Sequence, residues 1–271
     1  ANAESHQRFD AQGWVLAPGF IDVHTHDDIQ VIRTPNMLPK ISQGITTVIV
    51  GNCGISASPV TLKNNLPDPM NLLGSKEDFC FPDLATYKQA VNKTVPAVNV
   101  AALIGHTALR NNHMDRLDRS ATDYEIAAMR LQLRTALAEG ALGLSSGLAY
   151  ASAFSSSTEE VKQLAQELNA AGAIYTTHLR TEFDEIIAAL EEAFDIGEHA
   201  QAPVIVSHLK CAGAGNWGRS GEVLQFVNFN DRAWHAGESQ FGERTRCNDF
   251  AIGIELEGDG DTAFEAAQYQ T

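Results

Sequence analysis

Five side chains in this sequence could hold a metal ion. His24 and His26 form an H-x-H pair in Val23-His24-Thr25-His26. Side chains alternate along an extended segment, so both imidazoles would fall on one side of it. Two neutral imidazoles so placed are a ready pair of zinc ligands. Two unrelated surface histidines would satisfy the same pattern. His178 and His208 each close a β-rich run, Tyr175-Thr176-Thr177-His178 and Ile205-Val206-Ser207-His208. The 30 residues separating them make one βα unit, so neighbouring parallel strands would bring the two rings to one edge of a sheet. Cys53 lies in Gly51-Asn52-Cys53-Gly54, where the glycines let the backbone turn sharply. A lone cysteine is otherwise a small buried apolar residue. Beside four histidines it reads better as a thiolate ligand. Zinc tolerates such mixed sulfur and nitrogen coordination.

These residues need a scaffold that gathers them. Six short apolar runs qualify as strands: 19–23, 44–50, 98–104, 141–145, 173–177 and 203–207. Continuous apolar runs are expected of strands buried on both faces of a parallel sheet. The intervening segments read as helices. Thr122-Asp123-Tyr124-Glu125 has the capping-box spacing, followed by Ile126, Met129, Leu133 and Leu137 and a stop at Gly140. Ser157-Thr158-Glu159-Glu160 repeats the spacing before Val161, Leu164, Leu168 and Gly172. A third helix is expected from about Glu182, with Ile186, Leu190, Phe194 and Gly197 on one face. The alternation fits an open doubly wound sheet or a TIM barrel. His24, Cys53, His106, Ser145, Ser146, His178 and His208 all fall at or just past strand C-terminal ends, which favours the barrel. Six strands are legible, where a closed barrel has eight.

The chain has 271 residues, 44% apolar and 20% charged, enough for a sizeable core. Its formal net charge of −15 repels phosphate backbones and anionic bilayers, so neither nucleic acid nor membrane is an expected partner. No apolar run approaches the length of a transmembrane span, and no signal peptide is visible. Cys53, Cys80, Cys211 and Cys247 form no CxxC pair, which speaks against a disulfide framework or zinc ribbon. A reducing compartment, by default the cytoplasm, is expected.

Pro18-Gly19-Phe20-Ile21-Asp22-Val23-His24-Thr25-His26-Asp27-Asp28 resembles the opening of the amidohydrolase superfamily barrel. The runs 44–54, 105–107, 143–150, 177–180 and 207–210 resemble the N-acyl-D-amino-acid deacylases (D-aminoacylases) of that superfamily, over about residues 9–224. Cys53 stands where many superfamily members carry a carboxylated lysine. This also separates the chain from the cyclic amidases of the dihydroorotase and hydantoinase type. The resemblance implies one tight Zn2+ on Cys53, His178 and His208, and a weaker second position at His24 and His26 sharing Cys53. It implies that Tyr150 and Lys210 bind the substrate, the lysine pairing with the α-carboxylate of a small N-acyl amino acid. The family's catalytic aspartate belongs to an eighth strand, beyond the reach of the resemblance, and neither Asp27 nor Asp28 takes its place.

Beyond Leu224 the βα rhythm stops. Runs 225–229 and 251–257 read as strands, and 261–271 as the start of a helix. Residues 232–237 and 246–258 resemble the N-acetylmuramoyl-L-alanine amidases, a different zinc hydrolase family. Glu255 matches the catalytic glutamate of that family. With no accompanying metal ligands, it reads better as an exposed carboxylate on a strand, and His235 as a structural residue.

The expected fold is therefore α/β. Residues 1–17 are a remnant of an N-terminal β-sandwich, 18–224 an incomplete TIM-like (β/α) barrel, and 225–271 a short α+β amidase-like piece. Two incomplete families without a linker suggest a joined reading frame, which sequencing the native locus across residues 215–235 would test. The expected activity is zinc-dependent hydrolysis of N-acyl-D-amino acids. The alternatives are a muropeptide amidase or a zinc-binding chain without turnover. Oligomeric state is left open.

Overall fold

The computed structural model describes residues 13, 16–62, 65–217, 219, 240–241 and 244–245. The chain divides into two units. The first comprises Ala1–Arg180 with Glu191–Ser207, and the second Thr181–Leu190 with His208–Thr271.

The first unit is built on six parallel strands: β1 (Phe20–Asp22), β2 (Ile45–Val50), β3 (Asn99–Gly105), β4 (Gly143–Gly147), β5 (Ile174–His178) and β6 (Val204–Val206). Their spatial order is their order in sequence. A doubly wound sheet reverses its strand order at a switch point. This sheet does not, so the ambiguity left by the alternation resolves to an incomplete TIM-like barrel. All six expected strands are present, with ends shifted by at most two residues.

Helices follow the strands. After β1 come the short α1 (Gln30–Arg33) and α2 (Leu38–Ile41), and after β2 comes α3 (Leu84–Thr94). After β3 come α4 (His106–His113) and α5 (Asp123–Ala138), and α6 (Thr158–Ala171) follows β4. After β5 comes α7 (Ile186–Ala200). The first unit's core joins buried residues of the sheet, such as Val48, Ile104, Leu144 and Tyr175, to Leu84, Val91, Met129, Leu133, Leu164 and Leu168 from the helices.

The capping signals divide. Thr122 and Glu125 form the complete reciprocal box expected of α5. Ser157 accepts from the Glu160 amide, but the Glu160 carboxylate does not return to the cap. It turns inward to the Arg110 guanidinium, His106 Nε2 at 3.0 Å and the Ala121 amide at 2.9 Å. The second box is therefore corrected to a half-box, because a buried arginine outcompetes the cap amide for the carboxylate.

Helix α7 also departs from expectation. It starts at Ile186, leaving Glu182 in the preceding loop. Its buried face runs through Ile186, Ala189, Leu190, Ala193, Ile196 and Ala200, and Phe194 is 36% exposed. Small alanines define this stripe, so following the large residues alone misplaces it by one position.

In the second unit, Gln240–Phe241 (β7) pairs antiparallel with Arg244–Thr245 (β8). The strands expected at 225–229 and 251–257 and the helix at 261–271 lie outside the described residues. Among those described, no helix is long and apolar enough to cross a membrane.

Candidate metal centre

In the first unit, the potential ligands lie at or just past the C-terminal ends of strands. His24 and His26 sit just beyond β1, half-buried, with ring centroids 5.4 Å apart and planes at 87°. Lys40, from α2, ties this segment down. Its Nζ is 2.6 Å from Asp22, 3.0 Å from Asp27 and 3.3 Å from Thr25 Oγ1. Burial opposes the lysine's charge, but the two carboxylates outweigh it and raise its pKa.

Cys53 follows β2 and is 1% exposed. Its Sγ lies 3.3 Å from His24 Nε2. Its backbone has φ +54°, in the left-handed region. The flanking glycines are needed by space as well as by conformation. A Cβ at Gly51 (φ +80°) would come within 2.2 Å of Leu103 O, and one at Gly54 (φ +75°) within 2.6 Å of Gly147 N.

Asp28 is fully buried behind this loop, accepting from the Gly51 and Ala57 amides at 3.2 and 3.1 Å. Burial pushes its carboxyl up to about 7, against those amides, which favour the ionised form. From sequence, Asp28 is set aside as a general base and its role in the loop goes unseen. An aspartate following an H-x-H pair at a strand end was the available signal.

His178 is the last residue of β5. Its Nδ1 is 3.1 Å from the Tyr150 hydroxyl, with ring centroids 4.8 Å apart. His106, by contrast, is the first residue of α4, fully buried, and belongs to the Arg110–Glu160 network. Ser146 is turned to Tyr175 and Thr177 inside the sheet.

The second unit has its own cluster. His208 lies two residues past β6, also left-handed at φ +35°. Its Nδ1 is 2.9 Å from Glu182 Oε1. Lys210 Nζ is 2.5 Å from Glu182 Oε2 and 3.1 Å from the His208 Nδ1. The Glu182 backbone carbonyl accepts from the Ala212 amide at 2.7 Å. Glu182 was expected only as the start of a helix. Its place four residues after His178 was the signal for a partner to the histidines. Glu255 and His235 lie outside the described residues.

A one-thiolate, multi-imidazole donor set is a zinc set by chemistry. Of the five non-glycine residues at positive φ among those described, two are Cys53 and His208. Backbone in sparsely populated regions persists where the surroundings over-determine it, typically around functional groups.

The chain is 47% identical over 227 residues to a D-aminoacylase of Alcaligenes xylosoxydans xylosoxydans, covering 84% of this chain and 47% of that protein. It thus spans about half the length of the curated relatives it matches. Among solved structures it resembles an N-acyl-D-glutamate deacylase from Bordetella bronchiseptica in complex with zinc and a phosphonate inhibitor. The identity is 42% and the TM-score 0.73, covering 76% of this chain and 43% of that one. A further likeness covers only 51 residues, 19% of this chain and 28% of the relative. It is 65% identical to the 1,6-anhydro-N-acetylmuramyl-L-alanine amidase AmpD of Haemophilus influenzae. That second likeness accords with the two-family composition expected from the sequence. The model of the amidohydrolase family matches residues 7–270, and with the sheet order and the deacylase likeness this places the chain in the amidohydrolase family.

Proposed function

We propose that this chain hydrolyses the amide bond of N-acyl-D-amino acids at a zinc centre held by Cys53, His178 and His208. His24 and His26 would form a weaker second position sharing Cys53. The observation that carries the reading is the buried Cys53 thiol, fixed in a left-handed turn 3.3 Å from His24 Nε2. Two further features support it. The Ser207 amide, just past β6, donates to Thr177 O at 2.9 Å, which ties the end of β6 to β5. Glu182 engages Nδ1 of His208, the arrangement that fixes a ligating histidine's tautomer for coordination through Nε2.

When bound, zinc polarises the scissile carbonyl and lowers the pKa of its water. The chain's own groups bind and orient. Lys210 provides the cation for the substrate's α-carboxylate, moving from Glu182 to a charge-assisted pair with substrate. The Tyr150 hydroxyl, held against His178, orients that ring and lines the approach. The D-configuration and the N-acyl amino acid class rest on the deacylase relatives. Hydrolysis places water oxygen on the acyl carbon and a proton on the departing amine.

The test is release of free amino acid from N-acetyl-D- and N-acetyl-L-amino acids by the purified, zinc-loaded chain. Turnover of the D series that disappears in Cys53→Ala supports the reading; a metal-loaded chain without turnover on either series overturns it. A second and lesser reading, hydrolysis of a muropeptide's lactyl–alanine amide, comes from the short amidase-like segment, 65% identical to its relative over only 28% of that protein. Glu255 would then be its catalytic residue. Release of L-alanine from N-acetylmuramoyl-L-alanine, unaffected by Cys53→Ala but lost in Glu255→Ala, separates the two.

A further inference from the structure

We infer that Asp28 and Ser145 are positioning residues for Cys53: a buried carboxylate and a buried hydroxyl that clamp the loop 51–57 so that its thiol is presented in one orientation. The inference deepens the zinc reading above and rests on it for the purpose of the clamp.

A loop whose centre is a non-glycine residue in the left-handed region relaxes unless its neighbours forbid it. The Asp28 carboxylate spans both ends of this one. One oxygen takes the Gly51 amide and the other the Ala57 amide. The Ser145 hydroxyl, from β4, accepts from the Gly54 amide at 3.0 Å and donates to Gly51 O. Thr107 donates its amide to Gly54 O at 2.8 Å. The Asn52 side chain donates to Ile49 O at 2.9 Å. Peptide groups on both sides of Cys53 are therefore fixed from several separate elements, leaving the thiol little freedom beyond its own χ1.

Asp28 is in turn anchored by the Tyr87 hydroxyl, which donates to its carbonyl at 2.7 Å. Asp28 and Ser145 are 1% and 0% exposed. Burying a carboxylate is costly, and an apolar residue of similar size usually serves stability as well. What an apolar residue cannot do is accept amide protons from both ends of one loop. An asparagine in place of Asp28 could accept only one, since its NH2 group would face the other N–H.

The experiment is Co2+ titration of the full chain, read by thiolate-to-Co2+ charge-transfer absorption, with the alkylation rate of Cys53 followed by peptide mass spectrometry on metal-free protein. Removing a group that orients a ligand lowers metal affinity by about 10–100-fold. Asp28→Asn is expected to do so, weaken the charge-transfer band and speed Cys53 alkylation about tenfold or more. Ser145→Ala should act in the same direction and stands in if Asp28→Asn does not fold. Met129→Ala, a core change in α5, should lower the melting temperature while leaving affinity, band and alkylation at wild-type values. Wild-type affinity and wild-type alkylation in both clamp variants would overturn the inference. If wild-type protein binds no Co2+, the zinc reading fails and alkylation alone decides: faster in the clamp variants supports the clamp, unchanged overturns it.

Discussion

The loop carrying Cys53 and the segment carrying His208 solve the same problem by different means. Both hold a candidate ligand at positive φ. Around Cys53 the backbone is fixed by Asp28, Ser145, Asn52 and Thr107, all but invisible to solvent. Around His208, the Glu182 carboxylate reaches both the imidazole and Lys210, and the His208 and Lys210 side chains remain 31% and 44% exposed. The first arrangement is preorganised by the fold. The second rests on ion pairing beside side chains that stay partly open to solvent.

Breaking the deep scaffold should give the largest effect. α4, whose Thr107 amide holds the Cys53 loop, is anchored through Arg110 to Glu160 at the N-terminus of α6. Glu160→Ala leaves the Arg110 charge buried and unpaired. The expected loss is about 3–5 kcal/mol of stability, measured by urea unfolding. The same carboxylate gives the scaffold a pH signature. Burial alone would raise the Glu160 pKa, but the His106 hydrogen bond and the Arg110 charge hold it down to about 2. A depressed carboxyl stabilises the fold above its ordinary value near 4.5 and loses that contribution as pH falls toward 2. Roughly 3 kcal/mol should disappear across that window in wild type. Glu160→Gln should flatten that acid limb, seen in melting temperature against pH.

The His208 segment should respond with binding rather than folding. Glu182→Gln keeps the shape but removes the charge that orients His208. Zinc affinity should fall by about 10–100-fold with little change in melting temperature. Lys210→Ala should raise KM for N-acetyl-D-amino acids about tenfold, with kcat nearly unchanged, if the lysine binds substrate and transition state alike. A large stability loss in either variant would erase the contrast between the two regions.

Much of this was legible in the sequence. Five of the six strands carry β-branched apolar residues, as expected where a parallel sheet is covered on its faces, whereas β4 is Gly143–Gly147 without one and the outer strands leave Phe20, Ile21 and Ile205 exposed. The ligand candidates stand out because imidazole and thiolate at strand ends have few other uses together. What the sequence hid is the polar scaffold. Asp28 looks like a second acid after Asp27, and Glu160 like an N-terminal box partner. Their roles depend on amides and an arginine brought in from distant segments, a contact that no local pattern encodes. Phe194 misled for the related reason that helix α7 packs through alanines.

Zinc content of the purified full chain, wild type beside Cys53→Ala and His208→Ala, tests the central claim most directly. About one tightly held zinc per chain is expected in wild type, lost in both variants while their far-ultraviolet circular dichroism is retained. Folded wild-type protein without zinc, or zinc retained in both variants, would contradict it.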